Sequence, residues 1–184
     1  MKKNLIGGWV ILVKTVNHSN MNFIDKDAFH IEESQIYTQI GKGIKSVEFI
    51  RSMGNKLLFI EAKSSFPNPN NTTPNIEKGN KTGIELFREE IDDICEKFIH
   101  SLNLYSAIDV GVVKEGFPPE YRPSDKVYLV FILVITSFKK DWCGRVEREL
   151  INKLRESICI LKIWKPEVHV INHETAIQRN LTII

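Results

Sequence analysis

Two acidic residues and a lysine, Glu48, Glu61 and Lys63, are spaced so that one short hairpin would bring them together. Gly54-Asn55 separates two apolar-rich runs, Val47 to Arg51 and Lys56 to Ala62. Glycine stands at the first central position, as a two-residue type II′ turn prefers. The register that follows pairs Met53 with Lys56, Ile50 with Phe59 and Glu48 with Glu61. Facing Cβ atoms on antiparallel strands lie about 5 Å apart, and like charges there are destabilising. Because side chains alternate, Glu61 and Lys63 share a face with Leu57 and Phe59. Leu58, Ile60 and Ala62 take the other face, with Val47 and Phe49 across from them. Both faces are apolar, so the hairpin is expected to be buried on both sides. The two carboxylates then border an apolar face and need neutralising. Lys63 supplies one charge. A hard divalent cation, Mg²⁺ or Mn²⁺, would supply the rest through carboxylate oxygens. The competing expectation is that both acids sit at a wet strand end and are simply solvated.

The surrounding elements follow from periodicity. Residues 9–16 are rich in Val, Ile and Trp and read as a strand, followed by a turn at Asn17-His18-Ser19-Asn20. Phe29 to Ile40 carries β-branched and aromatic residues in partial alternation and is expected to be a strand. Phe66 to Gly83 holds three Pro, five Asn and two Gly. It is expected to be a mobile loop without regular structure, lying over the hairpin acids. From Ile84 to Ala107, apolar residues recur every three or four positions, which predicts one long helix with a solvated acidic face. Gly111 to Ser124 is a proline-containing loop. Lys126 to Thr136 is a near-continuous apolar run, the mark of a central strand buried on both faces. Trp142 to Trp164 reads as a second long helix ended by Pro166, with Trp142, Val146, Leu150, Leu154, Ile158 and Leu161 as its stripe. Glu167 to Asn172 is a last strand, and His173 to Asn180 a short helix. This order predicts an α/β fold, a mixed sheet flanked by two long helices, in a single domain spanning 1–184.

An acid, twelve intervening residues, and then Glu61-Ala62-Lys63 at the end of an apolar strand resembles the PD-(D/E)XK nuclease superfamily. The resemblance implies a restriction-endonuclease-like core. It implies that Glu48 and Glu61 bind Mg²⁺ or Mn²⁺ and that Lys63 positions or activates the attacking water. The implied activity is metal-dependent hydrolysis of DNA phosphodiesters. The first acid is Glu rather than Asp, and Val47 stands where the family name has Pro. The family's opening helix contributes a further acid. Here Glu32 and Glu33 are the acids in a suitable place, and Glu33 is taken as the third metal-site carboxylate; the alternative is a surface acid on a strand or turn. The Gln and Tyr often found on the following helix are represented by Tyr105 alone. The competing function is a nuclease-like fold that no longer cuts and serves as a binding or regulatory module, with a protein partner in place of DNA.

Composition bounds these readings. A chain of 184 residues with 42% hydrophobic and 26% charged content has enough apolar sequence for one folded core. A net charge of +2 permits nucleic acid without arguing for it. Lys42, Lys45, Arg51 and Lys56 are the cations placed to meet phosphates from the hairpin side. Cys95, Cys143 and Cys159 read as packing residues of a reducing compartment rather than a disulfide framework. The apolar run near the N-terminus is short and broken by Gly7-Gly8. No stretch reaches the roughly 18 apolar residues of a membrane span, and a cytoplasmic location is expected. There is no G-x-x-x-x-G-K-[ST] phosphate loop, no G-x-S-x-G elbow and no zinc-ligand spacing among the five histidines.

Overall fold

The computed structural model describes residues 2–6, 9–13, 15–25, 28–40, 43–112, 128–157 and 159–183. Among the described residues, ten strands and four α-helices follow one another in mixed α/β order. Strands β1 (Lys2–Ile6) and β2 (Trp9–Val13) form an antiparallel pair. Strands β3 (Thr15–His18), β4 (Met21–Ile24) and β10 (Thr182–Ile183) form a three-stranded sheet in the order β10-β4-β3. The main sheet has five strands: β5 (Ala28–Phe29), β6 (Phe49–Met53), β7 (Lys56–Lys63), β8 (Tyr128–Ile135) and β9 (Glu167–Asn172), in that spatial order. Neighbours from β5 to β7 run antiparallel, and β7, β8 and β9 run parallel.

The β6–β7 hairpin adopts the expected register, with Met53 opposite Lys56 and Ile50 opposite Phe59. Gly54 takes φ +62° while Asn55 stays out of the positive-φ region, the pattern of a type II′ turn. Parallel strands need long crossovers. Helix α2 (Gly83–Asp109) carries the chain from β7 to β8, and α3 (Lys140–Leu154) heads the crossover from β8 to β9. Both helices lie on one face of the sheet. Phe87, Ile91, Ile94, Phe98, Leu102, Val146, Leu150 and Leu154 pack there with Leu57, Phe59, Phe131 and Leu133. Phe98 and Phe131 stack at 4.6 Å with their rings 3° apart, an arrangement worth about 1 kcal/mol beyond its buried area. The opposite face, Phe49, Leu58, Ile60, Ala62, Val130, Ile132 and Val134, is covered by Met21 and Phe23 of β4 and by Ala176 of α4 (His173–Gln178). Strands β7 and β8 are therefore buried on both faces, as their unbroken apolar runs require.

Five expectations are corrected. The strand predicted over 29–40 is instead the end of β5, a 3₁₀ turn at Ile31–Glu33 and helix α1 (Gln35–Ile40). Local capping decides this: the Ser34 hydroxyl accepts from the Tyr37 amide, and such a cap starts a helix. The second long helix is not continuous over 142–164. It ends at Leu154, and a separate turn at Ile160–Trp164 follows. Leu154 and Ile160 are both buried, and a spacing of six does not repeat on one helical face. Trp142 is 52% exposed rather than on the stripe, and the buried position beside it is Cys143. Val47 packs with the helix-side cluster instead of lying across from Ala62. The strand expected over 9–16 runs as β2 and β3 on either side of Lys14, which lies outside the described residues.

The asparagine-rich stretch after β7 holds a 3₁₀ turn at Ile76–Lys78 and one bridge between Asn75 and Lys81. Asn68, Asn71 and Asn75 each accept from a backbone amide two or three residues ahead, the turn chemistry that makes asparagine frequent in such segments. The stretch closes on Gly83, whose amide donates to the Asn71 carbonyl. A Cβ on Gly83 would overlap the carbonyl oxygens of Asn68 and Asn71. Gly83→Ala should therefore cost about 1–3 kcal/mol through overpacking. Chemical denaturation measures the loss, and limited proteolysis should show faster cutting within 66–82. An unchanged midpoint would mean that this approach is not a constraint on the fold.

Candidate functional site

Strand β7 is apolar until its last turn, and its parallel direction delivers Glu61, Ala62 and Lys63 to the edge where β8 and β9 also end. That edge is where ligands bind in open α/β sheets. Glu61 points to the helix side and is completely buried. Its Oε1 lies 2.6 Å from Lys97 Nζ and 3.7 Å from Lys63 Nζ. Its Oε2 is buried without a hydrogen-bond partner. Burial pushes the Glu61 carboxyl up to about 7 against the opposing charge of Lys97, and the nearby Glu48 charge adds to the rise.

Lys63 emerges on the same face, as its spacing from Glu61 dictates. Its ammonium lies 2.8 Å from Glu90 and 3.8 Å from Asp93, both on α2. Burial opposes its charge, but these carboxylates and Glu61 hold its pKa above the ordinary lysine value. Asp93 in turn meets Lys45, which also reaches Glu96, each at 2.8 Å. A groove of about 750 Å³ runs beside these pairs, between the acidic face of α2, Lys45 and the Lys78–Lys81 segment of the asparagine-rich stretch.

Glu48 is not seated opposite Glu61. The ladder ends at the Phe49–Ile60 pair, one residue short. The Val47 amide donates instead to Ser101 Oγ on α2, at 2.9 Å. The chain entering β6 is therefore held against the helix, and Glu48 turns toward β3. Its Oε2 lies 2.8 Å from His18 Nδ1. Burial raises the Glu48 carboxyl, but the His18 bond and charge outweigh it and leave it below its usual range. The same bond raises His18 against the effect of its burial, with further help from Glu61 and Glu32. The two acids remain electrostatically coupled without sharing a pair position.

His18 reaches the site because the turn after it is pinned to the sheet edge. Ser19 Oγ donates to the Ala62 carbonyl, and Thr136 Oγ1 donates to the Ser19 carbonyl. Ser19 and Asn20 both have positive φ, 50° and 65°, a tight reversal that asparagine tolerates. His30 stacks on His18 with ring centroids 6.0 Å apart and bonds Asp25 at 2.7 Å.

Glu33 is exposed at the end of its 3₁₀ turn. Its neighbour Glu32 faces the site more closely, accepting from Ser46 Oγ at 3.2 Å. Tyr105 is a core residue, edge-on to Phe59. Of the cations expected to meet phosphates, Lys45 is held by Asp93 and Glu96, Lys56 by Glu167, and Arg51 donates to the Asn180 carbonyl. Lys42 lies outside the described residues. Cys95 and Cys143 are buried, and burial raises both thiols, Cys95 to about 12. No group of three or more His, Cys, Asp or Glu is placed to hold a metal among the described residues. No described helix is long and apolar enough to cross a membrane.

Sequence reasoning missed Lys97 and His18. Lys97 had a signal: Glu90, Asp93 and Lys97 fall at helical spacing beside the apolar stripe. His18 had none, since its place depends on a turn that contacts residues more than forty positions away. No protein family, curated protein or solved structure matches the chain.

The raised Glu61 carboxyl has a definite consequence for stability. A carboxyl whose folded value lies above its unfolded one stabilises fully below the unfolded value, about 4.5 for Glu. That contribution is lost as pH rises through the folded value of about 7. Thermal melts of wild type and Glu61→Gln between pH 5 and 8 should therefore diverge, with wild type losing ground to the variant as pH rises. Parallel profiles would show that Glu61 titrates normally.

Proposed function

We propose that the protein is a metal-dependent DNA phosphodiester hydrolase of PD-(D/E)XK type, with a restriction-endonuclease-like core. The observation that carries this reading is the Glu61–Lys63 pair at the end of β7, an ammonium 3.7 Å from a fully buried carboxylate on a sheet edge. The connection order supports it: an antiparallel hairpin, a crossover helix, then a parallel strand. The donor set suits a hard cation such as Mg²⁺, which is commonly held by one or two carboxylates together with waters and substrate phosphate. Glu61 Oε2, buried with no partner, is the clearest acceptor for it, and Glu48 is the second carboxylate within electrostatic reach. When bound, the cation supplies neutralisation of charge developing on the phosphoryl group. Glu61 would hold it, Lys63 would position the attacking water or meet the developing charge, and Glu90, 2.8 Å from the Lys63 ammonium, would keep that ammonium in place.

A second reading, a nuclease-like binding or regulatory module without cleavage, is favoured by one observation. Both acids already have partners, Glu48 in the His18 imidazole and Glu61 in the Lys97 ammonium. Plasmid and linear DNA incubated with Mg²⁺ or Mn²⁺ should be cut by wild type. Lys63→Met should lose about 10²-fold in rate or more, the usual scale for removing a group that stabilises transition-state charge. Circular dichroism would check that the variant is folded. No cutting by wild type with either metal would sink the hydrolase reading and leave the binding module.

A further inference from the structure

We propose that Lys97 is a built-in cation that occupies Glu61 in place of a divalent metal, so that metal enters only as Lys97 leaves. This rests on the reading of Glu61 as a metal-binding carboxylate. The distances argue for it. Lys97 Nζ is 2.6 Å from Glu61 Oε1, whereas Lys63 stands off at 3.7 Å because Glu90 holds it at 2.8 Å. Glu61 is thus directly neutralised by the helix lysine and not by the lysine of its own triplet. A metal ion on Glu61 would sit beside that ammonium in a buried setting, where like charges are poorly screened.

Lys97 is also built to leave. Its side chain keeps 20% exposure while Glu61 keeps none, and a lysine stem can lie along apolar surface with its head turned outward. An alternative acceptor stands one turn back: Asp93 precedes Lys97 by four positions on α2, the favoured order for a helical acid–lysine pair. The charge of Lys97 already acts on both Asp93 and Glu48. Meanwhile Glu61 Oε2 is left buried and without a partner, an acceptor that one ammonium on Oε1 does not satisfy.

Calorimetric titration of Mn²⁺ into the full chain tests this, using wild type, Lys97→Met, Lys97→Gln, Glu61→Gln and the Lys97→Met/Glu61→Gln double variant. Both Lys97 variants should bind Mn²⁺ at least about tenfold more tightly than wild type, and the double variant should lose the gain. Lys97→Gln keeps a hydrogen-bond donor for Glu61 and carries the test if Lys97→Met does not fold. Equal or weaker binding by the Lys97 variants overturns the inference. If wild type then still binds and Glu61→Gln does not, the metal reading of Glu61 stands without it. Binding by neither wild type nor the Lys97 variants overturns both. Binding by the Lys97 variants alone upholds the competition and shows that Lys97 excludes metal from the native site.

Discussion

Glu61 is the constraint on which this structure turns. Strand β7 lies inside the sheet, between β6 and β8, with helices on one face and the smaller sheet on the other. Any polar residue in its buried span must be neutralised inside the protein. An isolated buried carboxylate is costly, and it is tolerated only when paired or protonated. Glu61 has one ammonium at hydrogen-bonding distance and another just beyond. The placement of α2 follows in part from this need, since the helix that buries its apolar stripe on β7 also delivers Lys97 to the carboxylate. Packing and charge therefore select the same rotation of the helix.

The second layer is tied to the same edge by different means. Its contact with β7 and β8 is apolar through Met21 and Phe23, and apolar contact alone is non-directional. Direction comes from Ser19 and Thr136, whose hydroxyls connect the β3–β4 turn to the ends of β7 and β8. Those bonds hold His18 where Glu48 can meet it. The edge thus joins residues from β3, the entry to β6, β7 and α2, which is more of the chain than one hairpin could bring together.

How far the sequence disclosed this depends on the range of the deciding interaction. The hairpin register was legible because Gly54-Asn55 sets it locally and the alternating apolar residues agree. Helix α2 was legible from its repeated stripe, and β8 from its unbroken apolar run. The seat of Glu48 was not legible: a hydrogen bond from Val47 to Ser101, fifty-four positions away, ends the ladder early. Helix α1 was missed because a Ser34 cap outweighed the β-branched character of its neighbours. The break after Leu154 was missed because burying Ile160, rather than continuing the helical stripe, decided the path. The pairing of Lys97 with Glu61 needed the helix–strand packing itself, although the spacing of Glu90, Asp93 and Lys97 hinted at a charged row.

The balance of charge at the edge bears on what the site is for. Glu90 and Asp93 hold Lys63, and Asp93 and Glu96 hold Lys45, so these two lysines are already answered by acids of α2. A surface that bound phosphates by charge alone would leave its lysines unpaired. Among the described residues at this edge, Glu61 Oε2, His18 Nε2 and Glu90 Oε1 are buried without a hydrogen-bond partner, although Glu90 Oε1 keeps its ion pair with Lys63 at 2.8 Å. Lysines so paired, on a chain of net charge +2, do not make a broad electrostatic platform.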